Sequence, residues 1–243
     1  MASHAQTHQA HTNHAPTQYD TQREKLAEYF DRTAQKAWID LTSDAKVSGI
    51  RATVRAGRDE MRGTLLSWLP QDLRRQRMLD AGCGTGALSM EAACRGADIT
   101  AIDIAGGLVD IARKRADTFH GHGRIDWRVG DMLDPALGEF DHVVAMDSLI
   151  HYSLDDMVDT ITWLTQRTNR SILFTFAPYT PVLGAMHTVG KLFPRSDRSP
   201  AIVVVSEERL REKLAGIGEW RVARSHRVSS GFYKSHAMEL VRR

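Results

Sequence analysis

Apolar residues recur along this chain in two rhythms, and the switch between them marks out its parts. From residue 24, Leu26, Phe30, Ala34, Ala37, Trp38 and Leu41 recur at helical spacing, so their side chains share one face. Ile50, Val54, Met61, Leu65 and Trp68 repeat that pattern for a second helix. Beside them Arg51, Arg55, Arg58 and Arg62 form a basic stripe. It is read first as a solvated face diluted by Asp59 and Glu60, with direct anion binding as the alternative.

Further along, short apolar runs alternate with helical stretches. Strands are predicted at 78–82, 98–103, 125–131, 140–146 and 171–176, with helices near 86–95 and 107–118. Ser153 with Asp156 reads as a capping box that opens the next helix, and Ser206 caps a last helix carrying Leu210, Leu214 and Ile217. Two closing strands, at 220–228 and 232–241, predict an antiparallel hairpin across Ser229, Ser230 and Gly231. The repeated βα winding predicts an α/β fold: a doubly wound, seven-stranded, mostly parallel, Rossmann-like sheet with helices on both faces. An N-terminal helical lid precedes it, and a helical insertion follows the fifth strand.

At 243 residues and 42% apolar content the chain has room for one well-filled catalytic domain with modest additions. It divides into a His-rich tail (1–18), read as disordered, a helical arm or lid (19–70) and a main domain (71–243) in which 179–205 is the insertion. His4, His8, His11 and His14 in the tail lack the supporting shell that fixes metal ligands, so no metal site is expected there. His120 and His122 read as part of a surface turn. A net charge of +2 argues against a nucleic-acid partner and for a small one. A disulfide between Cys83 and Cys94 would pin a segment that needs its own helical geometry, which fits a reducing cytoplasm. No apolar run has the length of a membrane span, and the first residues carry no signal-like segment.

Residues 78–87, Met-Leu-Asp-Ala-Gly-Cys-Gly-Thr-Gly-Ala, carry a strand through a glycine-rich bend into a helix. Gly82, Gly84 and Gly86 leave no Cβ where the backbone must turn and touch a ligand, and the following helix offers N–H groups. The bend also satisfies the dinucleotide fingerprint G-x-G-x-x-A, so context has to decide. Asp80 at its entrance gives nothing to a diphosphate but attracts an ammonium or a sulfonium. Asp103 closes the second strand, where a carboxylate accepts both ribose hydroxyls. Asp131 follows the third, where one accepts from an adenine amino group. Three acids at the carboxyl edge of a parallel sheet share one crevice and predict S-adenosylmethionine (SAM) as the cofactor. Ile104 and Met132, which follow two of those acids, and Asp147, after the fourth strand, complete the expected cofactor-binding set. Structural alternatives stand beside them: a plain tight turn for the glycines, an N-cap for Asp103, a loop cap for Asp131. Cys83 reads as a small residue whose backbone touches the ligand.

In the insertion, Val182, Leu183, Met186, Val189, Gly190 and Phe193 form an apolar helical face. Core packing is one reading. The other follows from Arg195 and Arg198, held between Pro194 and Pro200: a greasy helix leading into two arginines suits a large flat ligand with carboxylate arms.

Taken together, Asp80-Ala-Gly-Cys-Gly-Thr-Gly86, the Tyr29-Phe30 pair, Asp147-Ser-Leu-Ile-His151-Tyr152 and Gly190-Lys-Leu-Phe-Pro-Arg-Ser-Asp-Arg-Ser-Pro200 have a family likeness. Over about residues 24–243 the chain resembles the magnesium-protoporphyrin IX O-methyltransferases of (bacterio)chlorophyll synthesis, within the class I SAM-dependent superfamily. It departs from plant and cyanobacterial forms in lacking an aromatic near Thr42. The resemblance implies methyl transfer from SAM to a propionate of a magnesium tetrapyrrole, with magnesium present only as part of the substrate. It puts a tyrosine and a histidine near the reacting carboxylate, which fall on Tyr29 and His151, while Met186, Phe193, Arg195 and Arg198 are placed on the substrate side by the reading of the insertion given above. It further implies transient contact with the magnesium chelatase large subunit and at most peripheral contact with the photosynthetic membrane. A propionate, with a pKa of about 4.3, is ionised at neutral pH, so His151 is expected to orient more than to deprotonate. Rival readings are a methyltransferase of another small carboxylate or amine, a NAD-binding oxidoreductase, and a non-catalytic tetrapyrrole carrier.

Overall fold

The computed structural model describes residues 18–33, 49–179 and 201–243. In chain order these form α1 (Gln18–Glu28), a π-helical turn (Tyr29–Thr33), α2 (Gly49–Trp68), β1 (Arg77–Ala81), α3 (Ala87–Cys94), β2 (Asp98–Asp103) and α4 (Gly106–Ala116). There follow β3 (Arg124–Val129), β4 (Phe140–Ala145), a 3-10 turn (Leu149–His151), α5 (Leu154–Thr165) and β5 (Thr168–Pro178). The chain closes with β6 (Val204–Val205), α6 (Glu207–Leu214), β7 (Trp220–Ser230) and β8 (Tyr233–Arg242).

The main sheet runs β3-β2-β1-β4-β5-β8-β7, with β1 parallel to both β2 and β4. Strand order reverses between β1 and β4, and the carboxyl ends there open the crevice in which ligands of doubly wound sheets sit. The predicted sheet therefore holds, with one strand more than expected. The extra strand is the two-residue β6, parallel to the end of β5 and too short to show any alternation in sequence. The hairpin is present too, but β7 runs on through Ser229 and Ser230, and the turn is Gly231-Phe232, with Gly231 at φ 54°.

Both faces of the sheet are covered, which is why its central strands read as continuous apolar runs. Alternate residues go to opposite sides: Leu79, Ala81, Val143, Phe174 and Phe176 into one core cluster, Met78, Val144 and Leu173 into the other. Asp80, near the carboxyl end of β1, is a buried acid among these apolar residues at 2% exposure. Ser153 caps α5 by accepting from the Asp156 N–H, and its hydroxyl donates to the Asp156 carboxylate, a bond from the side chain where a full capping box uses the Ser153 backbone N–H. Ser206 caps α6 by accepting from the Arg209 N–H. Both cysteines are free.

The N-terminal helices differ from expectation in extent. The first begins at Gln18, ahead of residue 24, and Ala34, Ala37, Trp38 and Leu41 lie outside the described residues. Along α2 the buried face starts only at Gly57 and continues through Met61, Leu65 and Leu66. Ile50 is 58% exposed. A Cβ on Gly57 would come within 2.6 Å of the Tyr233 ring, and Ser230 donates to the Thr53 carbonyl at 2.8 Å, so α2 sits tightly on the β7–β8 hairpin. Among the described residues no helix is long and apolar enough to cross a membrane.

Candidate active site

The bend after β1 adopts a conformation that only glycine takes comfortably. Gly82 and Gly86 have φ of 87° and 83°, and a Cβ at either would meet Ser148 or the Trp127 ring at 2.4 Å. The bend satisfies its own backbone. Gly82 and Cys83 donate to the Ile102 carbonyl at 2.8 and 3.0 Å, Gly84 to the Asp103 carboxylate at 2.8 Å, and Gly86 to the Cys83 carbonyl at 3.0 Å. None of those four N–H groups is left to cradle a phosphate, while two carboxylates face the same space. This geometry resolves the ambiguity of the fingerprint: the bend fits a ligand carrying positive charge, not a diphosphate.

Asp80 and Asp103 are both held by hydrogen bonds. The Ser89 hydroxyl donates to Asp80 at 2.5 Å, and the Ala105 N–H donates to Asp103 at 2.9 Å. Burial pushes Asp80 up to about 7, with the nearby charge of Asp103 adding to the rise and the Ser89 hydrogen bonds opposing it. Burial raises Asp103 as well, against the pull of the Ala105 and Gly84 N–H groups. Each carboxylate thus stands ready to gain from a cation. Burial also drives the Cys83 thiol far up, so it stays uncharged and serves as a small wall residue.

A cavity of about 540 Å³ opens over this bend, within the size range of small-molecule sites. Its wall brings together Asp80, Gly82, Cys83, Gly84, Asp103, Ile104, Met132 and Asp147 of the expected cofactor set, and Tyr29 and His151 of the expected catalytic pair. Gly86 lies behind it as part of the turn. Met186, Phe193, Arg195 and Arg198 fall outside the described residues.

Two of the expected acids are turned to other work. Asp131 does not line the cavity: its carboxylate accepts from the Tyr19 hydroxyl at 2.7 Å, from Arg23, and from the Leu133 N–H of its own loop. The acid therefore anchors α1. Asp147 reaches the cavity wall, but its carboxylate pairs with Arg58 at 2.5 Å and accepts from Tyr233 at 3.0 Å, with Thr175 alongside at 3.2 Å. Its φ of 54° is rare for a residue with a side chain, and this buried network holds it there. Asp147 is thus a scaffold acid joining β4, α2 and β8.

The arm brings its aromatic pair to the site through several contacts of that kind. Asp31 accepts the Gly107 N–H at 2.9 Å, supplying negative charge at the start of α4, whose own N-cap, Ala105, has no side chain to offer. Gln22 donates to the His151 carbonyl at 3.1 Å, Tyr19 stacks on Tyr152 at 5.1 Å, and Leu26 is buried. Phe30 then lies 6.0 Å from the His151 ring and 5.3 Å from the ring of Tyr29. His151 is 8% exposed, and burial lowers its pKa, so the ring is neutral at pH 7. Its Nδ1 is 3.3 Å from the Ala201 carbonyl. A carbonyl only accepts, so Nδ1 carries the proton and Nε2 is left with its lone pair.

Sequence reasoning passed over Ser148 and Ile202, among others, as contributors to the wall. Ser148, whose buried hydroxyl has no partner among the described residues, presses on Gly82. Ile202 lines the cavity although 46% exposed. The arginine stripe of α2, for which a solvated face and direct anion binding were both open, also lines the cavity. The regular spacing of those arginines was the available signal, but spacing does not say what a helix face looks at.

Residues 78–168 match the family described as a methyltransferase domain, and residues 145–242 match the family described as the magnesium-protoporphyrin IX methyltransferase C-terminus. The magnesium-protoporphyrin O-methyltransferase of Rhodobacter capsulatus is 48% identical over 225 residues, covering 92% of this chain and 98% of that protein. The protein of the same name from Synechocystis sp. is 29% identical over 219 residues, covering 89% and 95% respectively. The crystal structure of magnesium protoporphyrin IX methyltransferase from Synechocystis with bound S-adenosylhomocysteine superposes with a TM-score of 0.80 at 26% identity, covering 91% of this chain and 100% of that one.

Proposed function

Because the chain belongs to the magnesium-protoporphyrin O-methyltransferase family, we propose that it methylates a propionate of magnesium protoporphyrin IX with SAM, giving the monomethyl ester and S-adenosylhomocysteine in (bacterio)chlorophyll synthesis. The observation that carries the reading is a single cavity whose acidic, phosphate-averse bend lies on the same wall system as Tyr29 and His151. The residues present fit the donor: Asp80 and Asp103 supply negative charge, while Ile104 and Met132 supply apolar flanks. When bound, SAM provides a methyl group on a sulfonium sulfur, which passes to the carboxylate oxygen while the electron pair of the carbon–sulfur bond stays on sulfur.

The chain's own task is to hold an anion and a cation in line and dry. Alignment of this kind is worth about 7–11 kcal/mol of barrier. The arm contributes dryness through its contacts from Tyr19, Gln22 and Asp31, which close the outer wall and keep Tyr29 in it. His151 works with a lone pair at Nε2. An ionised carboxylate gains little from that atom, whereas a propionic acid that has taken up a proton on entering apolar surroundings loses the proton to it. We therefore assign His151 the removal of that residual proton, together with orientation of the acceptor.

The division into an arm and a main domain, with 179–205 holding substrate through Met186, Phe193, Arg195 and Arg198, belongs to the same reading. So do handover from the magnesium chelatase large subunit and peripheral contact with the photosynthetic membrane, since a sparingly soluble macrocycle favours transfer over release. The test is to incubate the protein with SAM and magnesium protoporphyrin and follow the porphyrin by mass spectrometry. The gain of one methyl group is expected; an unchanged porphyrin beside bound donor would overturn the assignment.

A further inference from the structure

Two buried side-chain polar atoms have no hydrogen-bond partner among the described residues, Oγ of Ser148 and Nδ1 of His236. Nδ1 of His236 lies 3.3 Å from the Glu207 carboxylate, while Ser148 lines the cavity and presses on the glycine bend. A buried hydroxyl without a partner is destabilising, so a fold that keeps one invites a ligand to complete it. We propose that the Ser148 hydroxyl donates to the α-carboxylate of SAM, swinging about its Cα–Cβ bond from the resting rotamer as SAM enters, an inference that rests on the methyl-transfer reading above.

SAM carries an ammonium and a carboxylate on one carbon, so a site that attracts the first must also satisfy the second. Asp80 and Asp103 serve the cation and repel the anion. At the bend, the N–H groups of Gly82, Cys83, Gly84 and Gly86 are already bonded to Ile102, Asp103 and Cys83. Further along the wall Arg58 is paired with Asp147, and Arg62 with Glu91 and Asp59. The Ser148 O–H, set against Gly82, has no such commitment, and a hydroxyl bonded to a carboxylate is a strong hydrogen bond.

The backbone fixes where this hydroxyl is offered. Asp147, at φ 54°, is held by Arg58, Tyr233 and Thr175, and Thr175 also accepts the Asp147 N–H at 2.8 Å. Ser148 comes next, as the N-cap of the 3-10 turn that ends at His151. A serine there usually accepts a backbone N–H, yet this one caps nothing. On its other side Gly82 comes so close that a Cβ there would stand 3.2 Å from Oγ. One residue therefore touches the bend read as the SAM site and opens the turn that carries His151, so a bond from it to SAM registers the methyl group against the acceptor side.

The experiment compares the wild type with Ser148→Ala and with Ser148→Cys, which keeps nearly the same shape and offers only a weak S–H donor. Calorimetric titration is carried out with S-adenosylhomocysteine and with its decarboxylated analogue, which lacks only the carboxylate, and melting is followed without ligand. Each variant should bind S-adenosylhomocysteine about tenfold more weakly than wild type and the decarboxylated analogue as wild type does. The melting temperature of Ser148→Ala should hold or rise, since the variant no longer buries an unpartnered hydroxyl. Undiminished affinity for S-adenosylhomocysteine in both variants overturns the proposal and leaves methyl transfer intact. So does an equal loss for the two ligands, which would assign Ser148 to the ammonium or to the shape of the bend. A wild type that binds neither ligand contradicts the methyl-transfer reading itself.

Discussion

Asp80→Asn is expected to make the protein more stable and its donor site weaker. In an unfolded chain the Asp80 carboxyl ionises near an ordinary 3.8, whereas in the fold, starved of water, it holds its proton to about 7. Between those values the unfolded chain releases a proton that the folded one keeps, so stability falls as pH rises from 4 to 7 and the full cost persists above 7. At 1.36 kcal/mol for each power of ten in acidity, that cost is about 4 kcal/mol, an upper bound because structure around a buried charge relaxes. Asn keeps the shape and can still accept from Ser89, so the variant should melt several degrees higher at pH 8 and at much the same temperature as wild type at pH 4. Binding runs the other way. A cationic donor selects the ionised carboxylate, so with a midpoint near 7 wild-type affinity for SAM should improve about tenfold from pH 6 to pH 8. Calorimetric titration over that range, in buffers of different ionisation heat, should detect the proton released on binding. In Asp80→Asn both the pH dependence and the proton release should vanish. A wild-type affinity flat from pH 6 to pH 8, or an Asn variant that binds like wild type, would refute the reasoning.

Three further outcomes are expected. His151→Ala should slow turnover by about 10²-fold near pH 6.5, with the deficit shrinking as pH rises to 8.5, because solvent then removes the proton that Nε2 no longer takes; steady-state rates across that range decide, and a constant deficit would mean orientation alone. Tyr19→Phe combined with Arg23→Met should release α1 from Asp131, raising hydrogen exchange in residues 18–33 and lowering kcat at least tenfold while the melting temperature changes little. Gly82→Ala forces a Cβ to 2.4 Å from the Ser148 Cβ at a left-handed φ, and should cost more than 2 kcal/mol of stability along with detectable SAM binding in calorimetry.

The alternation of strands and helices was legible because each central strand is buried on both faces, which turns it into an apolar run bounded by turn residues. The glycine bend and the acids at 80 and 103 were legible for a similar reason: Asp80 is a charge where β1 has no other business with one. What local pattern did not show was which side chains from far along the chain partner the site residues. Asp131 follows β3 as expected, yet its partners Tyr19 and Arg23 come from the other end of the chain. Asp147 lines the cavity toward which it was read, but the network that holds its carboxylate, with Arg58, Thr175 and Tyr233, was not legible. Helical periodicity put four arginines on one face of α2, but only the packing of Gly57 against Tyr233 reveals that this face borders the cavity. The tautomer of His151, which leaves Nε2 as the acceptor, depends on the Ala201 carbonyl, 50 residues away in sequence, a contact that no local motif encodes.

One measurement bears most directly on the shared cavity: a crystal structure of the protein grown with S-adenosylhomocysteine and a magnesium protoporphyrin. The nucleoside is expected over Gly82–Gly84 between Ile104 and Met132, its ribose on Asp103 and its ammonium toward Asp80, with one porphyrin carboxylate beside His151. Density for the nucleoside away from the β1 bend, or for the carboxylate away from His151, would contradict the account.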